Sequence, residues 1–104
     1  MAAHFKNGFL DLCVLASLRE QDSYGYKILS VIAPYIEISE STLYPILRRL
    51  ETNGSVTTRT EAYNGRLRKY FRITAVGMAK IKEFEDTMYE FNKISKFILK
   101  GEEK

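Results

Sequence analysis

Asn64-Gly65 lies between two runs of β-forming residues, 56–63 and 66–73, and this leaves the chain little freedom. Both central positions of a type I′ turn need positive φ, which Asn and Gly tolerate, so the spacing predicts a tight antiparallel hairpin. A two-residue loop also sets the register: Tyr63 opposite Arg66, Glu61 opposite Arg68, Arg59 opposite Tyr70, Val56 opposite Ile73. One face then carries Val56, Thr58, Phe71 and Ile73, suited to packing on helices. The other carries Thr57, Arg59, Tyr63, Arg66, Arg68, Tyr70 and Arg72 and is polar throughout.

The segment just before the hairpin reads as a capped amphipathic helix. Ser39 is a strong N-cap residue, and Gly54 occupies the usual left-handed position after a helix end. Leu43, Leu47 and Leu50 form a core stripe with Ile46 at its margin, while Ser41, Tyr44, Pro45, Arg48 and Arg49 lie on the outer side. Pro45 lacks an amide hydrogen and fits only a first turn, so the helix is expected to start nearer Ser41 or Thr42 than Ser39. A polar helix of this kind fills the DNA major groove, and a cationic hairpin beside it can grip phosphates. The pair reads as the recognition half of a winged helix-turn-helix.

The remaining elements fit that frame. Phe9, Leu10, Cys13, Val14 and Leu18 predict a first helix from about Asn7 to Glu20, widened by Leu12, Leu15 and Ala16. A second helix is expected from an Asp22 or Ser23 cap to Ile32, ending before Pro34. Thr74 caps a last helix to Leu99 or Lys100, closed by Gly101. Ile81, Phe84, Met88, Phe91 and Ile98 fall on its a/d heptad, thickened by Ile94 and Phe97 and broken at Ser95. So many large apolar groups on one helix call for a partner chain, and the competing reading is a helix folded back on its own domain. The expected class is mainly α with a small β-hairpin: residues 1–74 as the winged helix-turn-helix, 75–104 as a dimerisation helix, in one compact unit.

Charge is unevenly placed. The net is +3, yet residues 1–47 carry −2, residues 48–72 carry +5, and residues 73–104 cancel. Gathering the positive excess in 25 residues is the footprint of a nucleic-acid surface; the competing reading is a solvated basic hairpin. No apolar run approaches the roughly 18 residues of a membrane span, and Asn7, Gly8 and Asp11 spoil a secretory signal. A soluble cytoplasmic protein with no membrane partner is expected. Cys13 has no disulfide partner and reads as packing, and His4 as a surface residue. One cysteine and one histidine cannot build a zinc site, and no phosphate loop, nucleophile elbow or apolar carboxylate pair appears. Neither catalysis, nor a metal, nor a cofactor is expected.

The order Asp-Ser-Tyr-Gly-Tyr-Lys-Ile (22–28), Ser-Thr-Leu-Tyr-Pro-Ile-Leu-Arg-Arg-Leu-Glu (41–51), Gly54, Asn-Gly-Arg-Leu-Arg-Lys-Tyr-Phe-Arg-Ile-Thr (64–74) and Gly77 resembles the PadR family of bacterial transcriptional regulators. It is similar to the short members, which end in a single dimerising helix. Leu67 stands where Pro is common, and Phe71 where Tyr is common. The resemblance implies a homodimeric repressor that binds a pseudo-palindromic operator in double-stranded DNA and is released by a small effector. Carried over by position, Ser41, Thr42, Tyr44 and Arg48 are its groove residues, with Arg49 nearby for phosphate. Arg66, Arg68 and Lys69 are its wing contacts. Tyr24, Tyr26 and Lys27 are its phosphate contacts at the second helix, one of the tyrosines being partly core. The dimer seam falls on Ile81, Phe84, Met88, Phe91 and Ile98. Drug-binding relatives open an apolar pore there, lined by an aromatic at the position of Met88. This chain has no Trp, and both an effector site for an apolar or aromatic ligand and a dry core stay open. The alternative function is a winged-helix module for protein interaction, without specific DNA binding.

Overall fold

The computed structural model describes residues 3–100, with side chains from residue 8 onward. The elements are α1 (Ala3–Ser17), β1 (Ser23–Tyr24), α2 (Gly25–Ile32), α3 (Glu40–Thr52), β2 (Val56–Tyr63), β3 (Arg66–Ile73) and α4 (Ala75–Lys100). The Gly101 closure lies outside the described residues.

The hairpin follows from its turn. Asn64 and Gly65 have φ of 50° and 76°, as a type I′ loop requires. The register of β2 on β3 is the expected one, from Val56 opposite Ile73 to Tyr63 opposite Arg66. At its base Val56 and Phe71 are buried, while most of the tip is exposed. The hairpin carries a third strand that sequence reasoning missed. β1 pairs with β3, placing Ser23 opposite Phe71 and Tyr24 opposite Tyr70. Two residues are too few to show a period, so nothing in the sequence marks this strand.

That strand corrects the expected cap of α2. Tyr24 occupies the N-cap position and makes no side-chain cap bond. Ser23 is buried in the strand with no partner for its hydroxyl among the described residues, and Asp22 turns toward Arg59 and Arg72. The sheet competes for these residues and wins. α1 also ends earlier than expected, because Leu18 and Arg19 donate to Leu15 and Ala16 in a tightened last turn.

The start of α3 is a second correction. Ser39, not Ser41, is the N-cap; its hydroxyl accepts from the Thr42 amide at 3.3 Å. Pro45 is therefore the sixth helical residue, beyond the first turn. It is exposed, so the Ser41 carbonyl it leaves without a donor faces the solvent side of the helix. The C-terminus is a Schellman turn: Gly54 at φ 83° donates to Glu51, and Ser55 donates to Leu50 at 2.8 Å.

Leu10, Val14, Leu15, Leu18, Ile28, Ile32, Leu43, Ile46, Leu47, Leu50, Val56 and Phe71 form one core between the first three helices and the base of the hairpin. Cys13 packs against it half-buried, and burial pushes its thiol pKa up. Thr74 caps α4 as expected, its hydroxyl accepting from the Gly77 amide at 3.3 Å and donating to the Gly54 carbonyl at 2.6 Å. Gly77 is buried where α4 crosses the hairpin base; a Cβ there would lie 2.5 Å from the Ser55 carbonyl oxygen and 2.7 Å from Ile73 Cγ1. From this anchor α4 runs 26 residues, and the molecule reaches 62 Å along its longest axis. No described helix is long and apolar enough to cross a membrane.

Candidate nucleic-acid interface

α3 and the hairpin face each other across an open cleft of about 700 Å³. Its walls come from three places: Tyr44, Leu47, Arg48 and Glu51 on α3; Tyr63 and Arg66 through Lys69 on the hairpin; Tyr24 through Tyr26 at the start of α2. Leu43, Leu47 and Leu50 hold the inner face of α3 in the core, which turns Ser41, Thr42, Tyr44, Arg48 and Arg49 outward. All five are exposed, but they are not equivalent. Ser41 and Thr42 share hydroxyl contacts with Ser39 at 3.0 and 3.2 Å. The Tyr44 ring lies against Gly25 so closely that a Cβ at Gly25 would collide with it. Arg48 lines the cleft with no carboxylate partner among the described residues. Arg49 turns back to α1 and pairs with Asp11 at 2.5 Å.

The wing residues divide in the same way. Arg66 is exposed with no carboxylate partner among the described residues. Lys69 reaches Glu51 at 3.6 Å, tying the wing to α3. Arg68 is half-buried; its guanidinium lies 3.8 Å from the centroid of the Tyr24 ring and 3.7 Å from that of Tyr63. Of the α2 candidates, Tyr26 and Lys27 are exposed, whereas Tyr24 is half-buried and meets Tyr70 edge to face at 5.7 Å. Tyr24 is the tyrosine that packs.

Behind the wing lies a cluster that sequence reasoning did not assign. Asp22 accepts from Arg59 Nη1 and from Arg72 Nε, the latter at 3.2 Å, while Arg59 also bonds Glu61 at 2.5 Å. Partial burial pushes the Asp22 pKa up, but the hydrogen bonds and charges of the two arginines outweigh it and hold the carboxyl below its ordinary value. These partners are 37 and 50 residues apart in sequence, so no local pattern could have revealed them. Four of the seven cations in 48–72 (Arg49, Arg59, Lys69, Arg72) are thus matched by carboxylates, two of which come from the acidic first half of the chain.

On α4, the five stripe residues split at mid-helix. Ile81 packs against the domain's own core, and Phe84 meets Phe9 edge to face at 5.7 Å. Met88 is half-buried; Phe91 and Ile98 are exposed, as are Ile94, Phe97 and Leu99. The near half of the stripe is folded back on α1, and the far half is exposed.

Residues 14–83 match the model of the transcriptional regulator PadR-like family. A protein of Lysinibacillus sphaericus is 34% identical over 103 residues, 90% of this chain and 91% of that one. A solved structure from Streptococcus mutans superposes with a TM-score of 0.80 at 33% identity, covering 94% of this chain and 92% of the other. Bacillus subtilis PadR, solved in complex with operator DNA, superposes with a TM-score of 0.69 at 25% identity, covering 73% of this chain and 45% of that protein.

Proposed function

The chain belongs to the PadR-like family of transcriptional regulators, and on that premise we propose that it is a homodimeric repressor reading a pseudo-palindromic operator. The observation that carries the reading is the cleft, which Arg48 of α3 and Arg66 of the wing both line, each exposed and without a carboxylate partner among the described residues. α3 enters the major groove. There Arg48 donates to a guanine edge, contributing about 1–3 kcal/mol of discrimination, and Ser41, Thr42 and Tyr44 offer hydroxyls to neighbouring bases or phosphates. Arg66 meets the backbone, Tyr26 and Lys27 supply further phosphate contacts, and Arg49 and Lys69 join if the duplex displaces their carboxylates. The relative from Bacillus subtilis, solved on operator DNA, supports this class of partner.

The exposed far half of α4 supports the dimer. A second copy buries Phe91, Ile94, Phe97 and Ile98, and sets two α3 helices to read half-sites about one helical turn apart. A small apolar or aromatic effector entering beside Met88 would change that spacing and release the DNA.

The test is binding to the duplex upstream of the protein's own gene. Preference over random duplex at physiological salt is expected. Arg48→Ala should lose sequence preference, whereas Arg66→Gln should weaken all duplexes alike and reduce the salt dependence. Equal behaviour of the two variants, or no preference by the wild type, refutes the reading.

A further inference from the structure

We infer that Arg68 is a positioning residue: stacked between the rings of Tyr24 and Tyr63, it clamps the wing to the start of α2 and fixes the angle between the wing and α3. The inference rests on the operator-reading proposal for its consequence, not for the clamp itself.

The geometry runs in one packed path. Tyr63 is the last residue of β2, at the tip of a two-stranded ribbon whose outer residues reach no core. Such a ribbon bends and twists unless something holds it. Arg68 lies across the ribbon, its guanidinium 3.7 Å from the centroid of Tyr63 on one side and 3.8 Å from that of Tyr24 on the other. Tyr24 is held in turn by the β1–β3 pairing and by its edge contact with Tyr70. The next residue, Gly25, is the one on which Tyr44 of α3 rests. Wing tip, Arg68, Tyr24, Gly25 and the recognition helix therefore touch in series.

Chemistry explains why the residue is arginine. A planar guanidinium stacks on two rings at once, with attraction to the π faces of both; an ammonium is a point charge and cannot lie flat between them. Arg66 sits two residues away with the same charge and, among the described residues, no ring against its guanidinium. Arg68 has both faces occupied and one N–H directed at the Tyr70 hydroxyl at 3.4 Å, so its role is mechanical, whereas that of Arg66 is electrostatic.

The experiment compares Arg68→Lys, Arg68→Gln, Tyr63→Phe, Tyr63→Leu and Arg66→Gln by fluorescence anisotropy on the upstream duplex across a salt series. Amide hydrogen exchange is followed in the DNA-free protein. Arg68→Lys should weaken binding about tenfold, the combined scale of two such stacks, and Tyr63→Leu, which removes one of them, about fourfold, both with the salt slope unchanged. Tyr63→Phe, which keeps the ring, should stay within about twofold. Arg66→Gln should instead lower the slope by about one ion per protomer. Wing amides 60–69 should exchange faster in Arg68→Lys and Tyr63→Leu than in the wild type. Wild-type affinity of Arg68→Lys, or a slope for Arg68→Gln lowered as in Arg66→Gln, would overturn the inference, because Arg68 would then be a phosphate contact. Unchanged wing exchange in Arg68→Lys overturns it without reference to DNA. Faster exchange in a protein whose wild type has no operator preference supports the clamp and sinks the operator reading alone.

Discussion

Ser39 and Ser41 are two residues apart and chemically alike, yet only one caps α3. The Ser39 backbone is extended, at φ −109° and ψ 166°, which aims its hydroxyl at the Thr42 amide; Ser41 is already inside the helix. Substituting the cap removes one of two acceptors of the Thr42 amide, which also donates to the Ser39 carbonyl at 3.1 Å, while substituting Ser41, an exposed first-turn residue, removes no acceptor of that amide. Ser39→Ala is expected to lower stability by about 0.5–1 kcal/mol, at the low end for a cap because the bond is long. Ser41→Ala should stay within about 0.5 kcal/mol of the wild type. Urea unfolding at one fixed protein concentration checks both, and the reverse order would return the helix start to Ser41. Pro45 is why the sequence pointed to the wrong serine. The rule that proline avoids helix interiors holds on average, but an exposed outer face lets water take the orphaned carbonyl.

At the scale of elements, the three-stranded sheet is held at its outer side by ion pairs. Asp22 bridges Arg59 on β2 and Arg72 on β3 from the segment leading into β1. Its folded pKa lies below the ordinary 3.8, so the bridge stabilises the fold above that value. That stability is lost as pH falls through the depressed folded pKa. Asp22→Asn is therefore expected to be less stable than the wild type at pH 7, with the gap closing below about pH 4. Thermal unfolding of both proteins from pH 7 to pH 2 measures it, and a gap independent of pH would show that the bridge contributes no charge interaction. The hairpin itself was legible because Asn64-Gly65 fixes turn and register from within four residues. β1 and the Asp22 bridges were not, because their partners lie far along the chain and the segment is too short to carry a pattern.

Over the whole molecule, α4 divides into two halves with different surroundings. Its first half is spent on the domain: Ile81 on the core, Phe84 on Phe9. Its second half leaves Phe97 66% and Ile98 70% exposed. Large apolar groups in a row on a protruding helix favour burial against a second copy. Phe97→Glu is expected to convert the proposed dimer to a monomer by light scattering, with far-UV circular dichroism unchanged. A dimer that survives this change places the seam elsewhere. Ile81→Ala should instead lower unfolding stability by about 1–3 kcal/mol, since its side chain belongs to the half-buried edge of the core.

The sequence by itself determined what depends on neighbours: the hairpin and its register, the leucine stripe of α3, the Schellman stop at Gly54, the Thr74 cap, and the concentration of positive charge. These follow from dihedral preferences and periodicities that act within a few residues. Only the tertiary structure decided which cations are free. Asp11, Asp22 and Glu51 reach Arg49, Arg59, Arg72 and Lys69, and two tyrosine rings enclose Arg68. Charge in a sequence is additive, whereas charge on a surface depends on what folding places within about 4 Å, and that distance is set by the packing of the whole chain.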